Sequence, residues 1–459
     1  MHRWQHALQR WVNLKLTRIG TTRIIAVVFL LIILTGTLLL MTPAAARDGV
    51  GCGFRSALFT ATSATCVTGL VMFDTWTQFS GFGQIVVLSL IQIGGLGFMS
   101  AASIFVFLMR RRISMKQRLL MAQAMSVNEV SGIVRMQRLV LKGTFAIEGA
   151  GAVILTLRFW PEHGFIKALK WGVFHSVSAF CNAGFDIMGS DNPGMSIIPY
   201  NTDPVVCLTL AALVILGGLG FFVWEDLARN RSLRKLSVYS RLVLIITAVL
   251  LLGGTLAIAA LEWNNPTTIG QMTVPQKFLA SFFQSATVRT AGFAGLDQGT
   301  LTEGGKAVSI VLMLIGGSSG STAGGVKVVT VVVVCLFLWA RARGRETVTV
   351  FKRTIPNSQV LDAMTIVSIM VGLALFGGVV ICATSGFSFT DALYESASAI
   401  ATVGLSAAGS ANLSVISQYM IILFMYFGRV GVLTISLGFL MGKKTDERYR
   451  YAETKLLIG

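Results

Sequence analysis

The chain of 459 residues is 54% hydrophobic and only 13% charged, roughly half the charged share of an ordinary soluble domain. Its net charge of +18 falls mostly in five basic clusters that follow every second apolar run, while the stretches between them hold most of the acids. This distribution follows the positive-inside rule and argues against a nucleic-acid-binding face. We therefore predict an integral membrane protein with an even number of spans and both termini in the cytoplasm. The clusters are Arg3–Arg23, Arg110–Lys142, Arg229–Arg241, Arg341–Arg353 and Lys443–Lys455.

The first apolar run, Thr22–Met41, has Arg23 as its only charge. About twenty residues at 1.5 Å each match the roughly 30 Å of a hydrocarbon core, and the run is too long for a typical cleaved signal peptide. Seven similar runs follow, so the chain is predicted to cross the membrane eight times. The predicted spans are Ile24–Met41, Ile85–Leu108, Leu139–Phe159, Val205–Val223, Leu242–Leu261, Val308–Trp339, Ala363–Ala383 and Tyr419–Leu440.

A short segment separates the two spans of each pair. Every segment opens with an aromatic residue, carries a patch of small residues, and ends in glycine followed by Leu or Phe. The final glycines lie at positions 69, 184, 292 and 404, at intervals of 115, 108 and 112 residues. In three segments Ser-Ala precedes the glycine by six and five positions, and the third segment is one residue shorter. The segments are Phe59–Leu70, Phe174–Phe185, Phe283–Phe293 and Tyr394–Leu405.

About a dozen residues are too few to cross a bilayer, so each segment is predicted to be re-entrant, a short helix that ends in a non-helical strand. Amphipathic surface helices are the alternative, but these segments lack the basic face of such helices. The predicted fold class is an all-α integral membrane protein. It has four helix–re-entrant pore loop–helix repeats, with eight transmembrane helices around one pseudo-fourfold pore. The repeats are predicted at residues 1–115, 116–237, 238–355 and 356–459, the last with a cytoplasmic tail.

Four re-entrant strands around one axis can replace the hydration shell of an alkali cation with backbone carbonyls. Glycine adopts the unusual angles of such a ring at low cost, and the C-terminal ends of the short helices add partial negative charge. No acidic side chain occupies the strands, which favours a monovalent cation over calcium. Arg289 is expected to point outward and to pair with a carboxylate such as Glu395. The predicted selectivity filter comprises Thr65, Cys66, Val67, Thr68, Gly69, Phe180, Cys181, Asn182, Ala183, Gly184, Val288, Arg289, Thr290, Ala291, Gly292, Ile400, Ala401, Thr402, Val403 and Gly404, with the ion at carbonyls near the four glycines.

The segments "TCVTGL", "FCNAGF", "VRTAGF" and "ATVGL" resemble those of the Trk/Ktr/HKT potassium transport superfamily. So do "IGGLGF", "LGGLGF", "IGGSSG" and "FGRVG" in the second spans, and the resemblance covers nearly the whole chain. The short stretch before the first repeat favours the Ktr-type membrane subunit over the longer Trk type. The resemblance implies K+ as the transported ion, with Gly69 favouring potassium over sodium. It also implies a homodimer, in contact with lipid in a bacterial cytoplasmic membrane and docked on a cytosolic RCK-type nucleotide-binding ring.

The glycine motif of the second spans is least compatible with a helix in repeat three. There "IGGSSGSTAGGVK" (Ile315–Lys327) is predicted to interrupt the span. Gly316 lies 24 residues after Gly292, and Gly428 lies 24 after Gly404, so Arg429 is expected at the depth of the interruption. An intramembrane arginine costs roughly 2.5–3.5 kcal/mol on insertion scales, so a functional role is the default reading. The predicted gate comprises Gly316, Gly317, Ser318, Ser319, Gly320, Ser321, Thr322, Gly324, Gly325, Lys327 and Arg429.

We expect this loop to block the pore and to move when the ring changes state, with Arg429 meeting its freed carbonyls. The alternative is that Arg429 only satisfies buried carbonyls. Lys327 is expected at the cytoplasmic edge of the loop. A second intramembrane charge, Glu148, is expected to be partly buried against the short helix of repeat two and has no predicted role.

Other functions compete for the same stretch. "GGSSG" fits the GxSxG of a serine hydrolase, but only His175 lies within the predicted membrane region to serve as a base. A phosphate-binding loop fails because Val326 separates Gly325 from Lys327. A secondary transporter, or a less selective Na+/K+ pathway, stays open as an alternative. The six cysteines and four histidines show no metal-binding spacing, and the chain has no Rossmann fingerprint. We therefore predict no cofactor and no enzyme.

Overall fold

The computed structural model describes residues 21–97, 133–230 and 232–431, which are helical apart from connections and one two-stranded hairpin. The basic clusters Arg3–Arg23, Arg110–Lys142 and Lys443–Lys455 lie partly or wholly outside these residues, as do the ends of the spans predicted at 85–108 and 419–440. The helices are α1 Thr21–Leu40, α2 Phe54–Cys66, α3 Thr75–Gln78, α4 Gly81–Leu96, α5 Ile133–His163, α6 Phe165–Phe180, α7 Pro204–Leu219, α8 Phe221–Asn230, α9 Val238–Glu262, α10 Val274–Thr287, α11 Glu303–Leu314, α12 Val328–Ala342, α13 Asn357–Ser385, α14 Phe389–Ile400 and α15 Val415–Val430. The hairpin pairs β1 Thr349–Val350 with β2 Arg353–Thr354.

Three of the described helices are long and apolar enough to cross a membrane, namely α5, α9 and α13. The pair α7 and α8 is a fourth candidate, bent by 91° between its halves, and shorter apolar helices lie in α1, α4, α12 and α15. Large apolar side chains on the outside of these helices are exposed, as Leu252 and Leu256 on α9 are by 63% and 62%. An outward-facing apolar surface of this kind fits lipid as the solvent.

The second helix of each repeat ends at the shared glycine motif. This agrees with the interruption predicted in repeat three and corrects the continuous second spans predicted in the other three repeats. Three motif glycines take a positive φ: +79° at Gly97, +88° at Gly220 and +93° at Gly431. Left-handed backbone of this kind terminates a helix and favours glycine. In repeat three the helix instead stops at Leu314, and residues 315–327 form a loop before α12 begins at Val328. This loop is called the Gly316 loop below.

The four short helices, α2, α6, α10 and α14, each lie between the two longer helices of their own repeat or against one of them. Each also packs against the second helix of the preceding repeat, in the pairs α4–α6, α7–α10, α11–α14 and α15–α2. The last pair joins the end of the described chain to its beginning, so the order of contacts closes on itself. This cyclic order brings the segments that follow the short helices toward a common centre.

Candidate filter and gate

The four glycine segments, residues 65–69, 180–184, 288–292 and 400–404, share one backbone conformation. Two positions before each glycine, the φ angle is left-handed, at +56° for Val67, +59° for Asn182, +69° for Thr290 and +52° for Thr402. Three of these residues are β-branched, for which this region costs roughly 1–2 kcal/mol. Strain repeated at equivalent positions marks a candidate functional site, because the surrounding packing must hold it.

In three repeats a serine at the last turn of the short helix holds the glycine segment. Its carbonyl accepts a hydrogen bond from the N–H five residues later, as in a Schellman motif. Its hydroxyl forms a second hydrogen bond with the backbone at or just after the glycine. This explains why Ser-Ala stands six and five residues before those glycines. The carbonyls of Ser63, Ser178 and Ser398 accept from Thr68 N, Ala183 N and Val403 N at 2.8, 2.7 and 2.8 Å. The hydroxyls of Ser63 and Ser398 accept from Gly69 N and Gly404 N at 3.1 and 3.0 Å, and the Ser178 hydroxyl donates to the Phe185 carbonyl at 2.7 Å.

Repeat three uses a threonine for the same task. The Thr287 carbonyl accepts from Ala291 N at 2.9 Å and from Gly292 N at 3.3 Å, and its hydroxyl donates to the Phe293 carbonyl at 2.8 Å. Thr287 stands five residues before its glycine rather than six. The shorter third segment therefore keeps the same anchor by moving it one position along the chain.

The four glycines meet at one place. A β-carbon on Gly69 would lie 3.3 Å from the Cα atoms of both Gly184 and Gly404, and one on Gly184 would lie 2.6 Å from the Cα of Gly292. The carbonyl oxygens that precede the glycines face the same space. Added β-carbons would come within 2.5 Å of the Ala183 oxygen, 2.7 Å of the Ala291 oxygen and 2.6 Å of the Val403 oxygen, and would also contact the Thr68 oxygen. A side chain at any of the four glycines would therefore displace carbonyls.

The predicted pairing of Arg289 with Glu395 is wrong. The Arg289 guanidinium donates to the Gly316 carbonyl at 3.3 Å, so it points toward the Gly316 loop. Glu395 instead binds the chain that follows the fourth glycine segment, accepting from Ser406 and, at 3.1 Å, from Ala408 N. The carboxylate thus braces the outer end of the fourth segment, and the arginine braces the loop below the third.

The Gly316 loop docks on the glycine motif of repeat two. Ser318 N donates to the Gly218 carbonyl at 3.0 Å, and Thr322 N donates to the Gly217 carbonyl at 3.2 Å. In the opposite direction, Phe221 N donates to the Gly320 carbonyl at 3.0 Å. Part of the loop backbone is therefore hydrogen-bonded to protein, as non-helical backbone inside a membrane has to be.

The other side of the loop meets repeats one and four. The Arg429 guanidinium donates to the carbonyls of Thr322 and Gly94 and, at 3.1 Å, to that of Gly95. The expectation that this arginine meets loop carbonyls is confirmed, and it also ties the loop to repeat one. Lys327 turns back to the Ala323 carbonyl at 2.7 Å and is partly buried rather than exposed.

Comparisons with known proteins give the family of the chain. Residues 15–449 match the family described as "TrkH: Cation transport protein". The chain belongs to this family. Among curated relatives, "Ktr system potassium uptake protein B" of Bacillus subtilis is 35% identical over 98% of this chain and 100% of its own length. "Potassium/sodium uptake protein NtpJ" of Enterococcus hirae is 35% identical over 96% of this chain and 98% of its own length.

A solved structure of the TrkH family shares the fold. "Crystal Structure of the Potassium Transporter TrkH from Vibrio parahaemolyticus" aligns with a TM-score of 0.68 and 17% identity, over 90% of this chain and 84% of that one. The predicted membership of the Trk/Ktr/HKT superfamily is confirmed by the family match and by the relatives that are 35% identical. Since the TrkH family is one of cation transporters, the prediction that the chain is not an enzyme is confirmed as well.

Glu148 belongs to a network that the sequence did not reveal. Nε2 of Gln92 lies 3.1 and 3.2 Å from the two carboxylate oxygens of Glu148, and the Cys181 thiol lies 3.8 Å from one of them. Glu148 therefore sits directly behind the second glycine segment of this TrkH-family chain. Gln92 stands just before the "IGGLGF" motif, and its amide within an apolar run is the signal that could have marked it.

The hydrolase alternative has no support in the geometry. The Ser318 hydroxyl donates to the Leu219 carbonyl. The His175 ring is fully buried in α6, with Nδ1 2.7 Å from the Trp171 carbonyl. Each side chain is thus engaged with backbone, and no bond joins the two. Within the described residues, no group of three or more His, Cys, Asp and Glu side chains is placed to hold a metal ion.

Proposed function

We propose that this TrkH-family chain takes up potassium across a bacterial cytoplasmic membrane through a carbonyl-lined path at its four glycine segments. The Gly316 loop is the gate of that path, under the control of a cytosolic RCK-type nucleotide-binding ring. Support for potassium comes from the relatives in Bacillus subtilis and Enterococcus hirae, which are both named as uptake proteins for this ion. The regulatory ring and its control of the gate rest on the resemblance to Ktr-type subunits.

One observation carries the proposal. The four glycine segments repeat the same left-handed residue and positive-φ glycine, and the four glycines and their preceding carbonyls share one centre. Carbonyls gathered in this way replace water around an alkali cation. The transported ion is the substrate of this site and needs no acidic ligand, in agreement with the absence of Asp and Glu from the four segments.

The finer architecture belongs to the same proposal. The cyclic contacts of the short helices support four repeats around one pore, with eight transmembrane helices and repeat boundaries at residues 1–115, 116–237, 238–355 and 356–459. The distribution of the basic clusters supports a cytoplasmic location of both termini. The homodimer, and its contact with membrane lipid, rest on the resemblance to Ktr-type subunits.

A less selective Na+/K+ pathway is the second candidate, because the Enterococcus hirae relative is described as a potassium/sodium uptake protein. Uptake of rubidium and of sodium into liposomes separates the two functions. Selective uptake predicts a high rubidium-to-sodium ratio that falls in Gly69→Ser, whose β-carbon would lie 2.5 Å from the Ala183 carbonyl oxygen. The matched control is Gly49→Ser, at a glycine that also has positive φ but faces open space. Equal uptake of the two ions by the unmodified protein would overturn the selective filter.

Deletion within the Gly316 loop tests the gate. Gly316 N donates to the Val326 carbonyl at 2.9 Å, and Val328 N donates to the Gly317 carbonyl at 3.0 Å, so the two ends of the loop are adjacent. Residues 318–325 are therefore removable with little displacement of α11 and α12. We expect the deletion to raise rubidium flux and to weaken its dependence on the nucleotide bound by the ring. Unchanged flux with unchanged nucleotide dependence would count against the gate.

A further inference from the structure

The Gly316 loop is bonded directly to the second glycine segment, and we propose that Asn182 and Thr322 form a latch between the candidate gate and the candidate filter. The proposal rests on the proposed function and deepens it. While the loop is docked, the latch holds the second segment in its selective conformation. When the loop leaves, that segment loses its support, so ion selectivity depends on the position of the gate.

The contacts of the latch are short and buried. Oγ1 of Thr322 lies 3.1 Å from the Phe180 carbonyl oxygen and 3.1 Å from the Asn182 amide. The side-chain amide of Asn182 is oriented so that its Nδ2 faces hydrogen-bond acceptors. In this orientation Nδ2 lies 3.1 Å from Oγ1 of Thr322 and 3.3 Å from the carbonyl oxygens of Phe180 and Val214. Asn182 is 1% exposed and Thr322 is fully buried. Buried polar groups that satisfy one another in this way are left unpaired when one of them moves, and that loss is costly.

Repeat two alone carries an amide at the left-handed position. The equivalent residues are Val67, Thr290 and Thr402. Asparagine tolerates left-handed φ better than β-branched residues, so repeat two gains a hydrogen-bonding side chain there at a low backbone cost. The Asn182 amide also lies 3.4 Å from Oγ1 of Thr290, which links it to the third glycine segment.

The loop meets the fourth segment differently. Gly324 packs against the Thr402 side chain, and Oγ1 of Thr402 has no hydrogen-bond partner. The loop therefore contacts the fourth segment by packing and the second by hydrogen bonds. Of these two contacts, only that with repeat two makes the loop and a glycine segment depend on each other for polar partners.

A latch of this kind works in both directions. Two sites that are joined by hydrogen bonds are thermodynamically coupled, so whatever stabilises the bonded conformation of one site also stabilises that of the other. Release of the loop is expected to lower the preference for potassium-like ions. In return, an ion bound at the second segment is expected to favour the docked loop.

The test compares Thr322→Val, which keeps the shape but removes the hydroxyl, with Thr322→Ser, which restores it, and with Asn182→Ala. Reconstituted protein is assayed for rubidium and sodium uptake. Thr322→Val and Asn182→Ala should each raise flux about three- to tenfold, the shift expected for one lost hydrogen bond, and lower the rubidium-to-sodium ratio. Thr322→Ser should behave like the unmodified protein. The effect of the double variant should be smaller than the product of the two single effects, because both substitutions remove the shared Thr322–Asn182 contact.

Thr37→Val is the matched control, since the Thr37 hydroxyl is buried and bonds only its own helix, donating to the Ile33 carbonyl at 2.8 Å. An unchanged ion ratio in Thr322→Val, or effects of the two single variants that multiply in the double one, would overturn the latch. If Asn182→Ala fails to assemble, the Thr322→Val and Thr322→Ser pair decides alone. Failure of the proposed function would give different results from failure of the latch. It would give equal rubidium and sodium uptake by the unmodified protein, or unchanged flux after the loop deletion.

Discussion

The glycine segments and the glycine motifs of the second helices both occur four times, yet they differ in how far the copies diverge. All four segments keep the left-handed residue, the positive-φ glycine and a hydroxyl anchor at the helix end. The four motifs serve different purposes. In repeat two the motif receives the Gly316 loop, in repeat three it becomes that loop, and in repeat four it supplies Arg429 where the other copies have Gly95, Gly218 and Gly317.

The difference reflects what each region must do. A ring that replaces a hydration shell needs equal contributions from every side, so its members must share one geometry. A plug on a central axis cannot be built four times, because four copies would collide. One repeat provides the plug and its neighbours provide the docking surfaces. Breaking the symmetric region should therefore abolish transport, and breaking the asymmetric one should release it.

The largest effect is expected from Gly404→Ala. Gly404 has φ +98°, and a β-carbon there would collide with the Thr68 carbonyl oxygen. The substitution should abolish selective rubidium uptake, measured in liposomes. Gly386→Ala is the matched control, because Gly386 has φ +73° but nothing within 4 Å of its added β-carbon. Comparable loss of uptake in both variants would show that positive φ alone, and not the shared centre, explains the effect.

A smaller effect of opposite sign is expected from Arg429→Gln. The shorter amide cannot reach the three carbonyls that the guanidinium bridges, so the loop loses its tie to repeats one and four. We expect a several-fold rise in rubidium flux, about the shift from one or two lost charged hydrogen bonds. The control is Arg343→Gln, at an exposed arginine whose guanidinium lies 4.4 Å from the centroid of the Trp339 ring. A fall in flux in Arg429→Gln would mean that the arginine holds the path open.

The buried pair behind the second segment should affect stability more than flux. Glu148→Leu leaves the Gln92 amide without its acceptors and should lower the free energy of unfolding by about 1–3 kcal/mol. The double variant with Gln92→Leu should recover part of that loss, because an apolar pair leaves no polar group unpaired. Thermal unfolding in detergent measures both. Additive losses in the double variant would show that the two side chains are not each other's main partners.

Much of this could be predicted from the sequence, and the reasons for the rest are physical. The glycine segments were predictable because left-handed backbone and the close approach of the four segments restrict the residues that fit. The same sequence pattern therefore recurs in all four repeats. The break of the second helix in repeat three was predicted from its glycine-rich stretch. The ends of the other second helices at their motifs were not predicted, since those motifs lie within runs whose hydropathy is that of a continuous span. The partners of Arg289 and Glu148 depend on which repeats adjoin, and Asn182 and Thr322 lie 140 residues apart. No local pattern encodes such contacts.

The smallest effect is expected outside both regions, on the outer surface of repeat two. Lys167 donates to Asp191 at 2.5 Å, and His163 lies 3.1 Å from the same carboxylate. The hydrogen bond from Lys167 lowers the pKa of Asp191 below its ordinary value of 3.8. A carboxyl with a lowered pKa adds stability above that ordinary value and loses it as the pH falls through the folded-state pKa.

Asp191→Asn should therefore cost at most about 0.5 kcal/mol at neutral pH, because the pair is solvent-exposed and screened. The difference from the unmodified protein should shrink as the pH falls below 3.8 and vanish below the lowered folded-state pKa, where Asp191 is protonated in both states. Thermal unfolding as a function of pH measures it, and rubidium uptake should not change. A loss of uptake in this variant would extend the functional part of repeat two beyond its glycine segment and its motif, and would make that repeat, rather than the shared centre, the main determinant of transport.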